Sequence, residues 1–266
     1  MTIILNKINP EEINYYIEKN LDDLYTKSSE HPNFISSRED KISWVLSKKA
    51  NWPDCIFRAN FENLDIKKEI TNIEKLIRKG KIPNGWTVGP LTRPKDLGNL
   101  LEKYGFSNVY QQAGMAVELK NIENIDITEN ELIVELVNNE DSLAQWSNIA
   151  SNVFSLRMDF EFLKFLFRLE RFFFYLGKFK EEFVSALLLY MSSGVVGLHA
   201  VATLSNYRNK GFGLTISRKA LLDAFKKGYK VGVLQASSLG EKIYRKLGFQ
   251  KYCDIISYSL IDVKKR

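Results

Sequence analysis

The chain has 266 residues, 45% of them hydrophobic and 12% aromatic, enough to bury a full core in one or two domains. Its net charge of +6 is scattered, without the single basic face of a nucleic-acid-binding domain, and the Lys264-Lys265-Arg266 end is read as a solvated tail. Two cysteines (Cys55, Cys253) and two histidines (His31, His199) offer no disulfide framework and no zinc site, Met1-Thr2-Ile3-Ile4-Leu5 lacks the basic start of a secretory signal, and no apolar run nears the roughly 18 residues of a membrane span; the expectation is a soluble, cytoplasmic chain with no metal, nucleic-acid or membrane partner.

Taken in order, Pro10-Glu11-Glu12 opens a predicted helix with proline at its tolerated first turn and Ile13, Tyr16, Ile17 and Leu21 on its apolar face. Trp52-Pro53-Asp54 predicts a turn before the strand Cys55-Ile56-Phe57. Residues 66–79 predict a helix, with Ile66, Ile70, Ile73 and Ile77 on one side and Gly80 ending it. A strand at Gly85-Trp86-Thr87-Val88 and a helix over 94–104 follow. There Leu101-Glu102-Lys103-Tyr104-Gly105-Phe106 is echoed by Tyr244-Arg245-Lys246-Leu247-Gly248-Phe249, the two glycines 143 residues apart and each followed by β-type sequence. The echo predicts an internal duplication, with a first domain over 1–120, a polar linker over 121–130 and a second domain over 131–266.

The second half opens with a strand at Leu132 to Leu136, and Asn139-Glu140-Asp141 caps a helix running to about Phe154, its acids suiting the helix dipole. Residues 157–174 crowd Phe160, Phe162, Phe165, Phe167, Phe172, Phe173 and Phe174 between the charges of Lys164, Arg168, Glu170 and Arg171; the expectation is a helix packed between the two halves. Gly177, Phe183 to Met191 and Val195 to Thr203 supply central antiparallel strands, with Ser192-Ser193-Gly194 as a hairpin turn. After the break at Ser205-Asn206 comes Arg208-Asn209-Lys210-Gly211-Phe212-Gly213, an R-x-x-G-x-G loop leading into an amphipathic helix. Its glycines let main-chain N–H groups point outward at the helix's positive end, which makes an anion cradle, with Arg208 and Lys210 adding charge. Leu214-Thr215 after Gly213 excludes a Walker A loop, and Ile216 excludes a dinucleotide fingerprint. A buried strand at 231–237, a helix with Leu239, Ile243 and Leu247 on one face, a glycine end at Gly248 and a final β-rich run complete the chain.

The strand GLHAVAT, the loop YRNKGFG and the ending LQASSLGEKIYRKLGF match in order and spacing the GNAT superfamily of acetyl-coenzyme A-dependent N-acyltransferases, which the last half of the chain resembles. The resemblance implies an α/β (α+β) fold, a mixed central sheet flanked by helices and here duplicated. The first half is similar to the degenerate N-terminal half of bacterial tandem members; lacking R-x-x-G-x-G, it is expected to bind no coenzyme. The resemblance also offers a second role for the phenylalanine-rich segment, as an aromatic wall of the acceptor pocket.

Acetyl transfer to an amine requires the thioester to be held, its carbonyl polarised and the departing thiolate protonated. By the resemblance, Val201, Ala202 and Thr203 meet the pantetheine and the acetyl oxygen, and the N–H groups of Asn209, Lys210, Gly211, Phe212, Gly213 and Leu214 take the pyrophosphate. Ser237 stands where many relatives place an asparagine on the pantetheine, and Tyr244 where the family places a tyrosine against the coenzyme sulfur, as the general acid. No base is legible: the glutamate of some relatives is replaced by Gly197, and His199 reads more readily as a packed core residue. The acceptor is expected to be a primary amine of a small molecule, amino acid or peptide; the alternative is a non-catalytic acyl-coenzyme A-binding module.

Overall fold

In the computed structural model, residues 4–125 and 130–263 are described; the middle of the expected linker and the basic tail lie outside them. The first half runs α1 (Ile13–Ser28), β1 (Phe34–Arg38), β2 (Ser43–Ser47), β3 (Cys55–Phe57), α2 (Ile66–Arg78), β4 (Trp86–Val88), α3 (Leu97–Lys103) and β5 (Phe106–Glu118). The second runs β6 (Ile133–Leu136), α4 (Glu140–Phe154), α5 (Phe160–Phe167), β7 (Phe172–Phe179), β8 (Glu182–Ser192), β9 (Val195–Thr203), α6 (Phe212–Lys226), β10 (Val231–Ala236), α7 (Ser238–Lys246) and β11 (Gln250–Leu260).

All strands join one mixed 11-stranded sheet, ordered β1-β2-β3-β4-β11-β5-β10-β9-β8-β7-β6. Two neighbouring pairs, β3 with β4 and β9 with β10, are parallel. The two echoed segments end at equivalent left-handed glycines, Gly105 at φ +88 and Gly248 at φ +80, and each sends its strand into the other half. β5 lies between β10 and β11, and β11 between β4 and β5; the two pair antiparallel from Phe106↔Leu260 to Ala116↔Gln250. Each half thus completes its sheet with the final strand of the other.

Alternation assigns the two faces. Val196, Leu198 and Leu234 pack with Phe212, Ile216 and Leu247 of the α6–α7 layer, whereas Val195, Val231 and Val233 pack beneath Ile13 and Ile17 of α1. Asn139 caps α4 by accepting from the Ser142 N–H (2.8 Å), with the Ser142 hydroxyl closing the box. Ser193 and Gly194, both at positive φ, make the two-residue turn between β8 and β9, as the sequence predicts.

The phenylalanine-rich segment differs from the single helix expected. It is a helix to Phe167, a charged turn, and then β7, where Phe172 and Phe174 face one core and Phe173 the other. Period-two aromatic alternation outweighs helix continuation there. α5 packs between the halves: the Phe162 ring lies 4.7 Å from that of Phe34 and 5.7 Å from that of His31.

Candidate active site

β9 and β10 pair only from Val196↔Gly232 to Leu198↔Leu234, and then part. β10 continues against β5 as far as Ala236↔Ala113, so the edge of β9 beyond Leu198 that faces β10 has no strand partner. Beside the parting, Ala200 adopts φ 48 and the β8–β9 register shifts between Ala186 and Leu188. This bulge re-aims the three predicted residues. Val201 packs toward α6, Ala202 turns to the opposite core, and Thr203 shares a 3.0 Å hydrogen bond with Ser185. Nothing in the sequence marks the bulge, because an alanine at positive φ carries no compositional signature.

The loop after β9 has the expected shape. Asn209 (φ 63) and Gly211 (φ 78) are left-handed, and Gly211 caps α6 without a side chain. Among the described residues, no acceptor receives the N–H groups of Asn209, Lys210, Gly211, Phe212 and Gly213. Leu214 leaves the predicted set: its N–H donates to the Gly211 carbonyl (3.0 Å), because by that point the helix has begun to satisfy its own donors. Arg208 folds back, its Nε on the Thr203 carbonyl (3.2 Å), and the Lys210 ammonium lies 5.1 Å from the Phe179 ring centre. Asn130 braces the loop by donating to Thr215 Oγ1 (2.8 Å). A Cβ on Gly213 would find Thr203 Oγ1 at 3.9 Å and Ile243 Cδ1 at 4.0 Å, so the end of β9, the start of α6 and α7 converge there without touching.

α7 supplies the other wall. Ser237 caps it, its hydroxyl oxygen accepting from the Gly240 N–H (3.1 Å), which leaves the hydroxyl proton as its remaining donor. Leu247 is buried, but Leu239 is 80% exposed and Ile243 39%, so only the Leu247 end of the predicted apolar stripe joins the core, while Ile243 reaches toward Gly213. Tyr244 points inward, its ring 5.7 Å from Phe249. Burial holds its hydroxyl far above the usual phenol range, so it stays protonated at neutral pH. Ser217 on α6 is the one hydroxyl that pulls the other way; it lies beside Tyr244 without completing a hydrogen bond.

α1 covers the opposite side of the parting. Its Asn20 joins His199 Nε2 (2.8 Å), the Ser192 hydroxyl (2.8 Å) and the Tyr190 carbonyl (3.3 Å). Burial pushes His199 down to about 4, which leaves it neutral and tied to Asn20. A Cβ on Gly197 would lie 1.8 Å from Asn20 Oδ1, so the α1 side chain fills the space beside Gly197. In the first half, the corresponding places are also filled. The α2 N-terminus is capped by the Asp65 carboxylate, which accepts from the Lys68 N–H (3.1 Å). The Glu18 carboxylate takes the Leu91 N–H (2.6 Å) beside Gly89, and Asp22 takes Arg58 Nε (3.2 Å). Among the described residues, no cluster of His, Cys, Asp and Glu could hold a metal ion, and no helix is long and apolar enough to cross a membrane.

The fold is one shared with solved structures described as GCN5-related N-acetyltransferases. The chain is similar to one such protein from Kribbella flavida (TM-score 0.68, 16% identity, 91% of this chain and 94% of that one). It is also similar to one from Sphaerobacter thermophilus (TM-score 0.63, 12% identity, 95% and 93%) and to a putative GNAT-family acetyltransferase from Novosphingobium aromaticivorans (TM-score 0.53, 12% identity, 90% and 98%). No protein-family model and no curated protein matches the sequence.

Proposed function

We propose that the protein is an acyltransferase that moves an acetyl group from acetyl-coenzyme A to the primary amine of a small molecule, amino acid or peptide, and that it has one coenzyme site, in the 131–266 domain. The observation that carries the proposal is the unpaired run of N–H groups at 209–213, set at the mouth of the β9–β10 parting. Phosphate oxygens are the acceptors such a run of donors at a helix N-terminus takes best. The coenzyme supplies an activated acetyl thioester, and the residues do the rest. The unpaired edge of β9 at Val201, Ala202 and Thr203 holds the arm and the carbonyl, Ser237 donates its free proton to the arm, and Arg208 and Lys210 add positive charge at the loop.

In the transfer, the amine nitrogen bonds to the carbonyl carbon as the carbon–sulfur bond breaks. The ammonium loses two protons to solvent, one before the attack and one as the amide forms, while Tyr244 would give its own proton to the departing sulfur and be reprotonated from solvent. Its raised pKa makes Tyr244 a firm holder of that proton and a weaker acid than a free phenol. In the 1–120 domain, the Asp65 carboxylate at the α2 N-terminus and Glu18 beside Gly89 stand where phosphate and thioester would go, which supports a single site. The test is release of free thiol from acetyl-coenzyme A in the presence of a panel of amines. Amine-dependent release supports the proposal; coenzyme binding without release from any amine favours a binding module instead.

A further inference from the structure

One pair of side chains at the parting takes no part in the proposed transfer. Gln235 is the first residue past the last β9–β10 pair, and its Nε2 donates to the Ile17 carbonyl of α1 (2.9 Å). Gln112 of β5 donates its Nε2 to the Gln235 carbonyl (3.0 Å). Both side chains are partly exposed, and the pairing Gln235↔Gly114 places Gln112 and Tyr110 on the same side of the sheet as Gln235. Reversing either amide would set oxygen against oxygen, so the orientation of each is fixed by its carbonyl partner. Among the described residues nothing donates to either Oε1, and Tyr110 is 48% exposed. Two anchored, uncharged acceptors and an open aromatic ring therefore share the α1 side of the sheet, beginning at the point where the strands part.

We infer that Tyr110, Gln112 and Gln235 form the recognition surface for the acceptor, and that the acceptor is a primary aliphatic amine arriving as its ammonium. The inference rests on the acetyl-transfer reading of the cleft. An ammonium has three donors and no acceptor, which suits two amide oxygens and the face of a tyrosine. Uncharged oxygens also suit the chemistry. A carboxylate at that spot would raise the amine's pKa and hold it in the unreactive ionised form, whereas amide oxygens orient it and let the proton leave. Two of the three residues lie on β5, so the half that lacks a phosphate loop supplies the acceptor side of the site.

The test uses the full chain, with acetyl-coenzyme A affinity measured by calorimetry and turnover measured with putrescine, tyramine and glucosamine, beside piperidine and hexanol as controls. The parent protein is expected to acetylate at least one of the primary amines. Gln235→Leu and Gln112→Leu should each raise the KM for that amine by about ten-fold or more, the effect of losing one hydrogen bond to a charged group, with coenzyme affinity unchanged. Tyr110→Leu, at a half-exposed position that folding tolerates, should raise it by roughly two- to five-fold. Unchanged KM values, or KM and coenzyme affinity shifting together as in a structural defect, would overturn the inference. So would a parent that binds coenzyme yet acetylates none of the three primary amines. A parent that binds no coenzyme refutes the acetyl-transfer reading itself.

Discussion

Gly213→Val separates ligand binding from folding with unusual clarity. A Cβ at this position meets only Thr203 Oγ1 at 3.9 Å and Ile243 Cδ1 at 4.0 Å, ordinary contacts, and the backbone is not left-handed. The site is the second residue of α6, where a side chain restricts the unfolded chain; Gly→Ala there should be neutral or raise stability by up to about 1 kcal/mol. A coenzyme phosphate must approach the N–H of this residue, and a branched side chain in the way should cost one charge-assisted hydrogen bond or more, about 1.5–3 kcal/mol. That is a loss of roughly 10- to 150-fold in affinity. Gly211 is a poorer probe, because at φ +78 a valine would be strained by about 1–2 kcal/mol with or without a ligand. Calorimetric titration of Gly213→Val beside its melting temperature decides the matter: a folded variant that binds normally would show that the phosphates do not sit on this loop.

Tyr244→Phe should lower kcat by about 10²-fold, the low end of general-acid loss, with coenzyme affinity unchanged; an unchanged kcat with chemistry rate-limiting would retire Tyr244 as the acid. Burial pushes the Glu18 carboxyl up to about 7 and Asp22 up to about 8, so the folded state holds their protons more tightly than the unfolded one. Their stabilising effect is full below about pH 4 and is lost as pH rises through those values; Glu18→Gln with Asp22→Asn should flatten the fall of melting temperature between about pH 5 and 9, and an unaltered slope would contradict the assignment. Residues 131–266 expressed alone lack β5, whose Ala113, Met115 and Val117 are buried in the core beside β10. That fragment should show no cooperative unfolding transition, and a sharp one would refute the mutual dependence of the halves.

The shape of the loop at 208–213 was legible because it is set locally. Gly211 and Gly213 fall on one loop, with β9 before it and α6 after it, and contiguous residues fix that geometry. The echo between Gly105 and Gly248 located two helix ends that each stop at a left-handed glycine and lead into a strand. What escaped the sequence was non-local or conformational. The exchange of β5 and β11 depends on pairing between strands more than a hundred residues apart, for which local alternation gives no partner. β1, FISSR, carries too few apolar residues to announce a strand, and the apolar run of β2 is only Trp44-Val45-Leu46. Leu239 and Ile243 share the spacing of core residues and are instead exposed, since helical periodicity specifies a face and not what covers it. The burial of His199 beneath Asn20 arises from α1, whose docking across the sheet no spacing in the chain foretells.

How many coenzyme molecules the chain binds, and where, decides whether its site is the single loop at 209–213. Titrating the full protein with acetyl-coenzyme A in a calorimeter measures this directly. The expected result is one site per chain, weakened roughly 10- to 150-fold in Gly213→Val; two equivalent sites, or none, would contradict it.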